Sequence, residues 1–429
     1  MAAPNNASVM NFLNEVAESY PTAVSLAAGR PGDRLFDGTS TESLNRWLSR
    51  FLGTAPLSSV LQYGRTAGLV HELVSRQIAN DDGVNAGAHR TIVTAGCQEA
   101  LALCLPELCP QANDVVLVRN PTYIGITGAA AATSVALYPL DGSVEGIDAQ
   151  IEKAVEELAA DGRRARVVYL IPDFDNPTGE VIPVQERLAI LAACERHRIV
   201  VLEDNPYGMF RYEGSMVPAM ASLDTAGCVI YLSTYSKTIA PALRVGAATL
   251  PETLFGDRAA RVSLFNGIAE RKSFVTVNTS QLCQAIVGGL LIERDCSLRS
   301  WLGPTLDAYR HSRDTMLAQL DQSFSPAGFP VHWNKPQGGF FLSLDVPISF
   351  DAEAVADCAT RDGVIVLPMA FFAFDQTQNR RIRLAFSAES PDRIRAGVAA
   401  LSRFIVRRVE KHAAPEHGTG KRIPEAATE

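Results

Sequence analysis

Four short stretches of this chain are apolar almost from end to end: "DVVLVRN" at 114–120, "RVVYLIP" at 166–172, "IVVLED" at 199–204 and "CVIYLST" at 228–234. A strand with one wet face alternates apolar and polar residues, whereas a strand apolar on both faces must be covered on both. The covering material lies between them. "CQEALALCLPELC" reads as a helix, and so does "VQERLAILAACERHR", with Leu188, Leu191, Ala192 and Glu195 at three- and four-residue steps. Alternating apolar strands and helices predict an α/β fold, with a parallel or mixed sheet between helical layers. Such sheets bind ligands beyond the carboxyl ends of their strands. Polar residues gather at those ends: Gly96, Cys97 and Gln98, then Asn176, Asp204, Tyr207 and Lys237.

The 429 residues allow two to three domains. After about residue 300 the texture changes. A long helix precedes antiparallel-looking strands, "GGFFLSLDV" and "RRIRLAFS", separated by the helical "DAEAVADCATRDG". The expected division is an arm and part of a small domain over 1–45, a large domain over 46–300, a small α+β domain over 301–410, and a disordered polar tail over 411–429. Near the start, Phe12, Leu13, Val16 and Tyr20 fall on one face of a predicted amphipathic helix.

Composition narrows the function. The net charge is −8 and no basic cluster is dense enough for a nucleic-acid backbone. The apolar "AIVGGLLI" is too short to span a bilayer. The first twenty residues lack the basic start and apolar run of a secretory signal, so the expectation is cytoplasmic. Eight cysteines are scattered without C-x-x-C, and the seven histidines form no H-x-x-x-H pair. That spacing argues against a metal enzyme and fits reduced thiols.

"STYSKTIAPALR" carries the chemistry. Thr234 and Ser236 offer hydroxyls and Arg244 a fork of donors suited to phosphate, all close in sequence to Lys237. A partly desolvated lysine beside a phosphate has a lowered pKa and can add to an aldehyde. The combination points to pyridoxal 5'-phosphate (PLP). Its further needs can be checked. A carboxylate should sit beside the ring nitrogen, and Asp204 ends an apolar strand. Tyr207 in the same turn and Asn176 in "DNPTG" can bond the ring's 3-oxygen. "TAGCQEAL" places Gly96, Cys97 and Gln98 at a helix start, where backbone N–H groups favour an anion. Tyr123 in "NPTYIG" can stack on the ring, and Arg383 in "RRIRLAFS" can grip a substrate carboxylate. Each has a plain alternative: a turn-forming Asp or Asn before proline, a core tyrosine, a solvent-facing strand arginine.

With these residues placed, the chain resembles the class I/II aminotransferases of PLP fold type I. The likeness runs from about residue 20 to about 405 and is carried, in order, by "LQYGRTAG", "TAGCQEAL", "RNPTYIG", "PDFDNPTG", "LEDNPYG", "STYSKTIAPALRVG", "PQGGFF" and "IRLAFS". It implies a large domain with a mostly parallel seven-stranded sheet plus a smaller α+β domain. It also implies that Lys237 bonds the cofactor aldehyde and, once freed, shuttles a proton between substrate Cα and the cofactor. Tyr63 matches the tyrosine that reaches the phosphate from a partner subunit, implying a homodimer with shared sites. Gly29 in "AAGRP" matches a backbone contact to substrate. Two departures stand out: Cys97 where Ser or Thr is common, and Ala242 in "PALR" where the family has glycine.

Within the family, "MNFLNEVAESYPTAVSLAAGRP" and "NPTYIGITGAA" are most similar to transaminases that make arylglycines, such as hydroxyphenylglycine and 3,5-dihydroxyphenylglycine, for non-ribosomal peptide antibiotics. Phe371, Phe372 and Phe374 in "MAFFAFD" could wall a substrate ring or simply pack a core. Other readings are a PLP lyase or cyclase on the same scaffold, or an aminotransferase-like regulator body. The regulator reading calls for a basic winged helix ahead of the match, where only about 20 non-basic residues stand.

Overall fold

A computed structural model describes residues 18–36, 39–142, 144–325 and 328–413. The helix expected from Phe12, Leu13 and Val16 therefore lies outside the described residues.

Seven strands form the main sheet: β2 (Thr91–Thr94), β3 (Asp114–Val118), β4 (Ala136–Pro139), β5 (Arg164–Leu170), β6 (Val200–Asp204), β7 (Val229–Thr234) and β8 (Gly246–Thr249). Their order across the sheet is β2-β8-β7-β6-β5-β3-β4. Only β8 runs antiparallel to its neighbours. The stretches read as apolar on both faces are buried on both: β3 and β6 are buried at every residue. Ile230, Leu232, Leu202 and Val116 pack to one side with helix Cys97–Leu108, whereas Val229, Val201, Val168 and Val115 pack to the other with helices Ile147–Ala160 and Val184–His197. Each such side chain contributes about 1.5–3 kcal/mol on leaving water. The carboxyl ends of β2, β3, β5, β6 and β7 consequently open onto one edge, bounded by polar turns.

The later part of the chain builds a second, wholly antiparallel sheet, ordered β12 (Leu367–Pro368), β13 (Arg381–Ala385), β10 (Phe341–Asp345), β9 (His332–Trp333). Helices Arg299–Phe324, Ala352–Asp362 and Pro391–Ala413 accompany it. A short parallel pair, β1 (Val24–Ser25) with β11 (Val364–Ile365), ties the early segment to this sheet. Leu26 extends the tie, its N–H donating to Ile365 O and its carbonyl accepting from Ala385 N. Residues 27–30 are thereby delivered to the open edge of the main sheet. The last helix continues to Ala413, within the tail expected over 411–429; 414–429 lie outside the described residues. The expected cuts after 45 and after 300 fall inside helices Thr41–Leu52 and Arg299–Phe324. Among the described residues no helix is long and apolar enough to cross a membrane.

Candidate active site

At the end of β7 the chain turns sharply through Tyr235–Thr238. Thr234 Oγ1 accepts from the Ser236 backbone N–H at 3.1 Å and lies 3.0 Å from Ser236 Oγ. Arg244 follows a short turn of 3-10 helix and sits in the left-handed region at φ 50°. A non-glycine residue holds that conformation at a cost of about 1–2 kcal/mol. The strained backbone aims the guanidinium inward: Nη1 donates to Ser236 Oγ at 2.9 Å and Nη2 to Ala95 O at 2.9 Å. Gly96, at φ 82°, turns the chain from β2 into helix Cys97–Leu108, whose first turn leaves N–H groups without intrahelical partners, and a Cβ at Gly96 would meet Arg244 Nη2 at 2.6 Å. Helix start, hydroxyls and guanidinium together form an anion cradle. Gln98 leans sideways, its amide donating to Gly125 O at 2.8 Å beside Tyr123.

Asp204 ends β6 and is 2% exposed. Tyr169, on the neighbouring β5, donates to its Oδ2 at 2.8 Å, while Oδ1 is buried without a hydrogen-bond partner. Burial pushes the Asp204 carboxyl up, and the Cys97 thiol, the Tyr169 hydroxyl and the Lys237 charge pull it back down. The Lys237 ammonium is pulled the other way. Burial, with the nearby Arg383 charge, lowers it to about 8. Its Nζ donates to Gly29 O at 3.2 Å. Gly29 lies so close to the Phe341 ring that a Cβ there would come within 2.6 Å of it.

Arg383, on β13, is buried rather than solvent-facing. Its Nη1 donates to Asn176 Oδ1 at 2.7 Å and its Nη2 to Ala27 O at 2.6 Å, whereas Nε has no partner. The guanidinium carbon sits 4.3 Å from the Phe341 ring centre and 5.0 Å from that of Phe372. Tyr207 is buried beside Asn176, edge-on to Phe340 and Phe341, and burial pushes its hydroxyl well up, so it stays a donor. Tyr123 caps helix Ile124–Thr133, and burial pushes its hydroxyl up to about 12.

The fold thus gathers Gly29, Gly96, Cys97, Asn176, Asp204, Tyr207, Thr234, Ser236, Lys237, Arg244 and Arg383 along one edge, with Gln98 and Tyr123 at its margin. Tyr63 stands apart, 81% exposed. Sequence reasoning missed Tyr169, the one phenol in an otherwise aliphatic run, and the aromatic clasp of Phe341 on Arg383. Among the described residues no group of three or more His, Cys, Asp and Glu is placed to hold a metal.

These residues fit PLP on the structure's own terms. A buried carboxylate oxygen lacking a donor suits a protonated ring nitrogen, a helix-start cradle suits a phosphate, and a depressed lysine lies between them. Fold and site define a PLP enzyme of fold type I. The family model for class I and II aminotransferases matches residues 37–401, and the chain belongs to that family. It is 34% identical over 418 residues to the (S)-3,5-dihydroxyphenylglycine transaminase of Amycolatopsis orientalis, covering 94% of this chain and 92% of the relative. It is 28% identical to aromatic-amino-acid aminotransferase 1 of Thermococcus litoralis, covering 90% and 89%. A crystal structure of a multiple substrate aminotransferase from Thermococcus profundus superposes with a TM-score of 0.81 at 26% identity, covering 96% of both chains.

Proposed function

We propose that this PLP-dependent aminotransferase acts on α-amino acids and 2-oxo acids with an aryl side chain, of the hydroxyphenylglycine or 3,5-dihydroxyphenylglycine kind. The observation that carries the reading is the seat of Arg383: a buried guanidinium clasped by Phe341 and Phe372 offers a carboxylate grip walled by aromatic rings. The arylglycine and aromatic-amino-acid relatives support it.

In this reading PLP, when bound, supplies an aldehyde that exchanges between amines and a ring that accepts the electron pair left at Cα. The protein's residues do the rest. Gly96, Cys97, Gln98, Thr234, Ser236 and Arg244 hold the phosphate. Asp204 Oδ1 would keep a proton on the ring nitrogen, the Tyr207 hydroxyl and Asn176 amide would hold the 3-oxygen, and Tyr123 would cover the ring. Lys237 Nζ would take the proton from substrate Cα and deliver it to the former aldehyde carbon of the cofactor. Burial, with the Arg383 charge, lowers the free Lys237 ammonium to about 8, which favours a useful neutral fraction near neutral pH. Arg383 orients the α-carboxylate, with the Gly29 backbone beside it. Tyr63 serves a second copy of the chain: it is exposed together with Leu57, Leu61 and Phe274, which makes a homodimer the natural way to cover them.

The test is a panel of 2-oxo acids with PLP and several amino donors, following the pyridoxamine form of the cofactor. Arylglyoxylates should exceed 2-oxo acids with basic or acidic side chains by at least about tenfold in kcat/KM. Activity confined to basic substrates discards the aryl reading, and a pyridoxamine form that never accumulates discards transamination.

A further inference from the structure

The turn that carries Lys237 has a second, polar side. On β7 successive side chains alternate, so Leu232 faces the core beside the site whereas Tyr231 and Ser233 face the opposite core. There a cavity of about 20 Å³ is lined by Gln77, Asp82, Asn205, Ser233 and Thr238, among others. That is room for one occupant of about the size of a water molecule. Ser233 and Thr238 are 9% and 4% exposed, and the hydroxyl of each is buried without a hydrogen-bond partner. Asn205 Nδ2 donates to the Tyr231 hydroxyl at 2.7 Å, which leaves the phenol proton for Asp82. Gln77 presents Oε1, which accepts only from Tyr235 at 3.0 Å, while its Nε2 donates to Asp81. The nearby cation makes its ion pair elsewhere: Arg299 pairs with the Asp81 carboxylate at 3.7 Å and acts on Asp82 only as a more distant charge.

We propose that this cavity binds a dehydrated monovalent cation, Na⁺ or K⁺, held by the Asp82 carboxylate, the Ser233 and Thr238 hydroxyls and Gln77 Oε1. All four ligands are hard oxygens. A water molecule would satisfy the two hydroxyls but leave the carboxylate without a directly paired cation, whereas a bound cation answers both needs at once. The single carboxylate and the small volume argue against Mg²⁺, which keeps several of its waters. Burial pushes the Asp82 carboxyl up to about 7, against the pull of the Tyr231 hydroxyl and of the more distant Arg299 charge. Ser233 and Thr238 bracket Thr234, Ser236 and Lys237, so an ion between them pins both ends of the turn on which the cofactor cradle depends. The site stands or falls independently of the substrate proposed above.

The test uses the full-length holoenzyme at constant ionic strength in choline, sodium and potassium chlorides. We expect a saturable rise in Tm of about 2 °C in Na⁺ or K⁺ relative to choline, the ion with the lower half-saturating concentration being the natural one. Asp82→Asn and Thr238→Val should each abolish the difference; Thr238→Val carries the test if Asp82→Asn does not fold. A crystal grown with Rb⁺ should show an anomalous peak beside Asp82. Equal Tm in all three salts, an ion effect unchanged in the variants, or water alone in the cavity of the Rb⁺ crystal would overturn the proposal.

Discussion

Tyr169 and Asp204 meet across neighbouring parallel strands, the phenol donating to Oδ2 at 2.8 Å while Oδ1 is left buried and unpartnered. Removing that donor frees the carboxylate to rotate and raises its pKa further, since a hydrogen bond to the charged form is lost. A hydrogen bond to a charged group is worth about 1.5–3 kcal/mol. Tyr169→Phe should therefore lower kcat/KM about tenfold or more and weaken PLP binding, measured by steady-state kinetics and by absorbance titration of the apoprotein. Unchanged values would mean that Asp204 is held by its backbone alone.

Arg383 spends Nη1 on Asn176 and Nη2 on Ala27, and its flat face on two rings. A lysine cannot reproduce that geometry. Arg383→Lys should cost about a hundredfold in kcat/KM for α-amino acids, which is about 2.7 kcal/mol. The half-reaction of an arylmethylamine, which has no carboxylate, should be little affected. Equal losses for both substrates would assign Arg383 a purely structural part.

Lys237 gives the pH prediction. Its folded pKa, about 8 in the absence of cofactor, lies below the ordinary 10.5. Between those values the folded apoprotein binds fewer protons at this group than the unfolded chain does. The contribution to stability is thus present above 10.5 and lost as pH falls through about 8. Apoprotein Lys237→Met escapes the loss. The Tm of the variant minus that of the wild type should grow as pH is lowered from 10.5 to 7.5 and then level off. A difference that does not vary with pH would place the lysine in water.

Phe274 is 82% exposed and Leu61 72%, unusual for side chains of this size. If a second copy covers them, Phe274→Glu should shift sedimentation toward monomer and weaken PLP binding about tenfold, because the cradle would lose Tyr63 of the partner subunit. A wild-type protein that sediments as a monomer would end the shared-site reading.

The strand and helix alternation was legible because burial on both faces leaves an unmistakable apolar run, and β3, β6 and β7 fall where the runs are. Lys237, Asp204 and Arg244 were legible because each ends a run with a polar residue that the fold has no structural need for there. Tyr169 was not, since a phenol inside such a run reads as core until its hydroxyl partner is known. The Lys237 contact with Gly29 and the Arg383 contact with Ala27 were also hidden: the partners are backbone carbonyls, 208 and 356 residues away in sequence. No local pattern encodes which carbonyl a distant side chain will find.

Gly246 pairs with Thr94 of β2 on one side and Thr234 of β7 on the other. A Cβ there would stand 2.6 Å from Ser233 O and 2.9 Å from Gly96 Cα, so three distant stretches of chain close at a point with space for hydrogen alone. If the cup holds a phosphate as proposed, its two halves, Gly96 after β2 and the β7 turn, are joined in the sheet through this strand, and a single methyl group at the junction should push them apart. Coenzyme affinity in a Gly246→Ala protein would then report on how well the central sheet closes at this point.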